Sequence, residues 1–152
     1  KRGCMLSILL SLSFLIRLID MEAEIATLHI MIYLQYFLQV VAGLGILNVW
    51  LLRYSQSTEY RGGKSSSMRG EFESYGLPSV TVYVVGFLKI VSAIGLIAGT
   101  LLPQLTVPSA ILLAALMIGA VGMHLKISDP FKKSVPALTM LVLCVAILLL
   151  AA

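Results

Sequence analysis

The chain has 152 residues, 59% of them hydrophobic and only 12% charged, with a net charge of +4 and a mean hydropathy of +1.00. A soluble domain carries about 25% charged residues, and a body this small has too much surface to hide so many apolar side chains. A free soluble enzyme, a disordered tail and an extracellular disulfide scaffold are excluded, and the sequence reads as an integral membrane protein whose solvent is the lipid bilayer.

Residues 1–24 stand apart. An apolar run at 4–19 is broken by Arg17, preceded by Lys1 and Arg2, and followed by Asp20, Glu22 and Glu24. A basic start before a short apolar core fits a signal peptide, but no small-x-small cleavage site follows. An extra short helix, interfacial or crossing, is the preferred reading. Residues 25–152 then hold four runs close to the roughly 20 residues that cross about 30 Å of hydrocarbon. They lie at 28–52, 80–102, 110–125 and 134–151. Backbone amides in lipid must be satisfied inside their own segment, so each run predicts a helix. The expected fold is all-α, a four-helix membrane bundle with the extra N-terminal helix.

The first connection, 53–78, is rich in Ser and Gly and holds Arg53, Arg61, Lys64 and Arg69. A structureless connection of this length would be unusual in a bundle, so it is expected to be ordered. Met68, Phe72 and Tyr75 recur at helical spacing there; Ser66 or Ser67 supplies a cap, and Gly76 with Pro78 a stop. The short helix either rests its apolar side on the bilayer surface or closes over the bundle as a lid. The second connection, between Pro103 and Pro108, carries no charge, and the third, at 126–133, carries Lys126, Lys132 and Lys133. The positive-inside rule puts loops 53–78 and 126–133 on one cytosolic, stromal or matrix face. Topology accounts for the excess positive charge, so no nucleic-acid partner is expected.

Inside the four spans the one charged residue is Lys89. An ammonium in hydrocarbon needs a partner or a wet cavity, and Glu71, Glu73, a lipid phosphate or a quinone carbonyl could supply it. Structural pairing with snorkelling is the plainer use of Lys89, ligand binding the sharper one. Gln35, Gln39 and Asn48 on the first span form either interhelical hydrogen bonds or a polar pocket. Gly95 with Gly99, and Ala115 with Gly119, give small-residue stripes for close helix packing. Trp50, beside Arg53 and Tyr54, has the composition of an interfacial anchor. His29 and His124 near span ends are candidate pigment or haem ligands, with an interfacial hydrogen bond the plainer use of His124. Cys4 and Cys144 form no CxxC pair, no residues stand at metal-ligand spacing, and no nucleophilic triad or phosphate loop is present, so neither a metal nor a catalytic residue is expected.

The tract Gly86-Phe87-Leu88-Lys89, then Gly95, Pro103 and above all Gly119-Ala120-Val121-Gly122-Met123-His124-Leu125-Lys126-Ile127-Ser128-Asp129-Pro130-Phe131 resembles the DoxX-like membrane proteins. Asn48-Val49-Trp50-Leu51-Leu52-Arg53, Tyr60-Arg61-Gly62-Gly63 and Tyr75-Gly76-Leu77-Pro78 are similar to one subgroup of them. The resemblance covers about residues 33–151 and implies a four-helix membrane fold. The N-terminal extension departs from the family pattern. The family takes its name from a small subunit of a thiosulfate:quinone oxidoreductase, which implies quinone as a candidate ligand beside lipid or chlorophyll. Two functional readings stay open. One is a non-catalytic accessory subunit packed among other subunits of a respiratory or photosynthetic complex. The other is the membrane subunit of a quinone-linked oxidoreductase, with the quinone head near Lys89, Gln35 and Gln39. A transporter is less well supported, because four spans show no inverted repeat.

Overall fold

The computed structural model describes residues 2–151, with side chains from Arg17 onward. Its regular structure is helical: α1 (Arg2–Leu47) running into a π-helical turn (Asn48–Leu52), α2 (Met68–Ser74), α3 (Ser79–Ala98), a 3₁₀ turn (Pro103–Leu105), α4 (Thr106–Lys126) and α5 (Phe131–Leu150). Among the described residues four helical stretches, Arg17–Leu52, Ser79–Ala98, Pro103–Lys126 and Phe131–Leu150, are long and apolar enough to cross a membrane. The chain is an all-α membrane protein. The run at 4–19 has helical backbone as part of α1; its side chains up to residue 16 lie outside the described residues.

Two units are distinguished, one ending at Leu34 and the other comprising Gln35–Ala152. In the first, the described side chains are exposed almost throughout, apolar Ile19, Leu28 and Ile30 included. The second contains the bundle. Its core is built from Val82, Ala93 and Leu96 of α3, Ala110 and Leu113 of α4, and Cys144 and Ile147 of α5, all fully buried or nearly so. Outward-facing Phe87, Val142 and Leu149 are exposed, as suits helices whose outer surface is solvated by lipid chains.

Small residues set how closely the helices approach. A β-carbon on Gly43 of α1 would sit 2.6 Å from Ile97 Cγ1 and 2.9 Å from the Ala93 carbonyl of α3. On α3, Gly86 leaves the notch into which the Trp50 ring fits; a β-carbon there would meet the ring at 2.6 Å. Trp50 is consequently 6% exposed, packed edge-on against Phe72 and tilted against Tyr54. This corrects the interfacial-anchor reading of Trp50. The π-helical turn that carries it, closed by Arg53 N–H donating to the Asn48 carbonyl, places the indole inside the bundle.

The long connection is ordered, as its length demanded. Ser67 Oγ accepts from Gly70 N–H at 3.2 Å to cap α2, and Gly76, at φ +75°, turns the chain out of it through a backbone region open to glycine. Pro78 then starts α3. Met68, Phe72 and Tyr75 are all buried, so α2 lies apolar side inward and closes over the bundle.

These contacts give a paired prediction. Gly86→Ala forces the Trp50 ring out of its notch and should destabilise the protein by about 1–3 kcal/mol, the usual penalty for overpacking. Gly119→Ala meets nothing within 4 Å and should leave the unfolding temperature in detergent unchanged or slightly raised, since alanine favours a helix interior over glycine. Equal melting of the two variants would refute the packing described for Trp50.

Candidate functional site

Within the loop, Arg61 is 6% exposed and ties the start of the connection to α2. Its guanidinium donates to the carbonyls of Arg53 (2.6 Å), Tyr54 (3.3 Å) and Gln56 (3.2 Å). The same group pairs with Glu71 Oε2 of α2 at 3.2 Å. A planar five-donor fork can satisfy several acceptors at once, which an ammonium on a flexible stem does less well. Arg61 thereby folds the loop back and aims the Glu71 carboxylate into the bundle.

Glu71 begins a chain of polar groups. Tyr75 Oη donates to Glu71 Oε1 at 2.8 Å and lies 3.3 Å from the ring nitrogens of His124. Burial, and after it the Glu71 carboxylate, drive the Tyr75 phenol far above its ordinary range, so its O–H remains a donor. Room for that hydroxyl exists because Gly62 has no side chain to collide with it. His124 Nδ1 is 2.9 Å from Asp129 Oδ2; with Asp129 ionised, the proton is assigned to Nδ1. Ser128, at φ +56°, makes the tight turn that returns Asp129 to the C-terminal end of α4, where its N–H donates to the His124 carbonyl at 3.0 Å. Both Asp129 oxygens accept from Gly63 N–H at 3.1 Å, and Lys133 Nζ donates to Oδ1 at 3.0 Å. Burial pushes the Asp129 carboxyl up, but the hydrogen bonds from His124, Lys133 and Gly63 outweigh it and hold the group below its ordinary value.

A pH dependence follows. The unfolded carboxyl takes up its proton near pH 3.9, above the folded one. The stabilisation from Asp129 is therefore complete from about one unit above that value and is lost progressively as pH falls toward and through the folded pKa. Wild-type unfolding temperature should drop below about pH 5. Asp129→Asn should start lower at pH 7 and fall less steeply, as read by thermal unfolding across that range.

Lys89 of α3 reaches the same place from the membrane side. Its Nζ sits 5.3 Å from the centre of the Trp50 ring, a cation–π contact. Among the described residues it has neither a hydrogen bond nor an ion pair. The ammonium faces a cavity of about 260 Å³ between α2, α3 and α4. The walls are mostly apolar, with Phe72, Leu77, Val85, Leu116 and Met123, and the polar residues lining it are Lys89, Glu71, Tyr75, His124 and Thr81. Apolar walls with a few convergent polar groups are the usual composition of a small-molecule site.

The other predicted residues fall elsewhere. Gln39 is fully buried and donates to Thr106 Oγ1 at 3.2 Å, with its own Oε1 unpartnered; Gln35 is half-buried and Asn48 exposed. None of these three lines the Lys89 cavity. Gln39 precedes Trp50 by eleven residues on the first span, about 16 Å at 1.5 Å per residue, so it belongs to the opposite half of the bundle from Lys89. Gly95 and Gly99 lie where α3 meets Ser109 and Thr106 of α4. Ala115 and Gly119 are exposed and line the cavity. His29 is exposed on α1, whereas His124 is buried in the network. Of the two loop carboxylates considered for Lys89, Glu71 lines its cavity while Glu73 pairs with exposed Arg69 at 3.4 Å.

Sequence reasoning did not find the Arg61–Glu71 pair, the polar use of Tyr75, or Asp129. Two signals were available: Glu71 and Tyr75 stand four apart on one helical face, and Asp129 follows His124 across a predicted turn.

No curated protein and no solved structure matches the chain. The model of one protein family, described as DoxX-like, matches residues 62–147, from the loop through most of α5. That stretch is more than half of the chain and contains α2, Lys89, His124 and Asp129, so the protein belongs to the DoxX-like family.

Proposed function

We propose that this protein is a non-catalytic membrane subunit that holds the head group of a bilayer quinone for a redox partner in a larger assembly. The observation that carries the reading is the Lys89 ammonium, without a hydrogen-bonded anion or carbonyl among the described residues, facing an apolar cavity within the membrane-spanning bundle. A quinone carbonyl is an acceptor that remains neutral, and it reaches such a site through lipid without the cost of desolvating a charge. At about 260 Å³ the cavity falls below the roughly 300–1,000 Å³ of sites that take whole drug-sized ligands. It suits a ring whose isoprenoid tail stays among lipid chains. Exposed Ala115 and Gly119 leave the α4 side of the cavity low, which gives the tail a way out. On this reading the loops at 53–78 and 126–133 face the cytosol, stroma or matrix, where their lysines and arginines belong.

The test is chemical. Protein purified from its own membrane in mild detergent is extracted with solvent, and isoprenoid quinone is measured against total lipid. Enrichment toward one quinone per chain is expected. A quinone-to-lipid ratio equal to that of the parent membrane would overturn the reading.

A further inference from the structure

A second cavity, of about 170 Å³, meets the first at Lys89. It runs between α1, α4 and α5, with Val49, Met117 and Ala137 along its wall and Thr58, Tyr60 and Lys133 on its loop side. Glu71, Lys89, Ala120 and His124 line both cavities. The two spaces differ in chemistry. The first has apolar walls and the exposed small residues of α4, whereas the second is reached past an exposed phenol, a threonine hydroxyl, a guanidinium and an ammonium.

A buried space holds water when it is roomy enough and offers each molecule two to four polar partners. The second cavity offers Thr58, Tyr60, Glu71, Lys89 and Lys133. An ammonium within a membrane span is stabilised by just such a water-filled recess. We propose that the second cavity is a water-filled crevice leading from the loop face to Lys89, so that protons reach the Glu71–Lys89–His124 partition from that face while the first cavity fills from lipid. The ionisable groups around the partition are Tyr60, Arg61, Glu71 and Tyr75 from the loop and α2, Lys89 from α3, His124 from α4, Asp129 from the turn and Lys133 from α5, while α1 and its π-helical turn bring only Gly45, Ile46 and Val49 to the wall. The proposal rests on the quinone reading only for what occupies the first cavity; the crevice stands without it.

Cysteine accessibility tests it. In a Cys4→Ser/Cys144→Ala background, single cysteines at Ala137 and Ala120 are compared with one at lipid-facing Val142, using a membrane-impermeant cationic methanethiosulfonate in sealed vesicles. Lys64→Cys reports which side is the loop face. Only a hydrated thiol ionises and reacts, so Ala137→Cys and Ala120→Cys should be modified at least about tenfold faster than Val142→Cys. That rate should appear only with reagent on the side that labels Lys64→Cys, and Thr58→Trp should slow both. If Ala120→Cys does not fold, Met117→Cys, one turn away on α4, replaces it. Slow modification at both positions, modification from the opposite side, or a reactive Ala137→Cys with an inert Ala120→Cys would each overturn the proposal. Absence of quinone in the purified protein would remove the preceding reading and leave this labelling pattern unaffected.

Discussion

Arg61→Leu should cost the solubilised protein about 3–5 kcal/mol, the penalty for breaking a buried ion pair by removing one partner. The size comes from what is left behind. Glu71, with a side chain 12% exposed, loses its nearest cation, and the carbonyls of Arg53, Tyr54 and Gln56 lose their shared donor. Each unsatisfied buried acceptor adds to the deficit. Because α2 is tied down through Glu71, Phe72 should also move off Trp50, changing the emission of the single tryptophan. The double variant Arg61→Leu/Glu71→Leu removes the orphaned carboxylate and should recover part of the loss, since well-packed apolar pairs often replace buried ion pairs at little cost. A double-mutant cycle on thermal unfolding reads both effects. Additive losses would show that the two side chains do not interact as described.

Lys89→Met is expected to separate folding from binding. On insertion scales an ammonium at membrane depth costs about 2.5–3.5 kcal/mol, and the contact with Trp50 returns about 0.5–2 kcal/mol. Methionine keeps the length of the side chain and removes the charge, so the variant should melt at or above the wild-type temperature. Ligand affinity should move the other way. A hydrogen bond to a charged group is worth about 1.5–3 kcal/mol, which corresponds to about 10- to 150-fold in affinity. A structural lysine predicts the opposite pair of results, lower stability with unchanged binding.

The spans were legible because lipid imposes length and apolarity on any segment that crosses it. The α2 helix was legible too, since the Ser67 cap, the Gly76 stop and the spacing of Met68, Phe72 and Tyr75 are local signals. The side on which that helix rests was not local, and Trp50 shows why. Whether an indole near a span end faces headgroups or the bundle depends on the notch at Gly86, which lies on another helix. The network has the same character. Arg61 meets Glu71 because the loop doubles back, and His124 meets Asp129 because Ser128 adopts a left-handed turn. Lys89 was conspicuous as a lone charge, yet its distance from Gln35 and Gln39 follows from helix register, which apolar runs do not specify.

Trp50, its ring centre 5.3 Å from the Lys89 ammonium, is placed to report whether a quinone head sits beside Lys89. In lipid nanodiscs, titration with a short-tailed quinone should quench Trp50 emission along a saturating curve in the wild type, with the midpoint shifted to at least about tenfold higher concentration in Lys89→Met. Quenching that rises linearly without saturation, equally in both proteins, would mean that quinone only dissolves in the surrounding lipid, and would contradict the site.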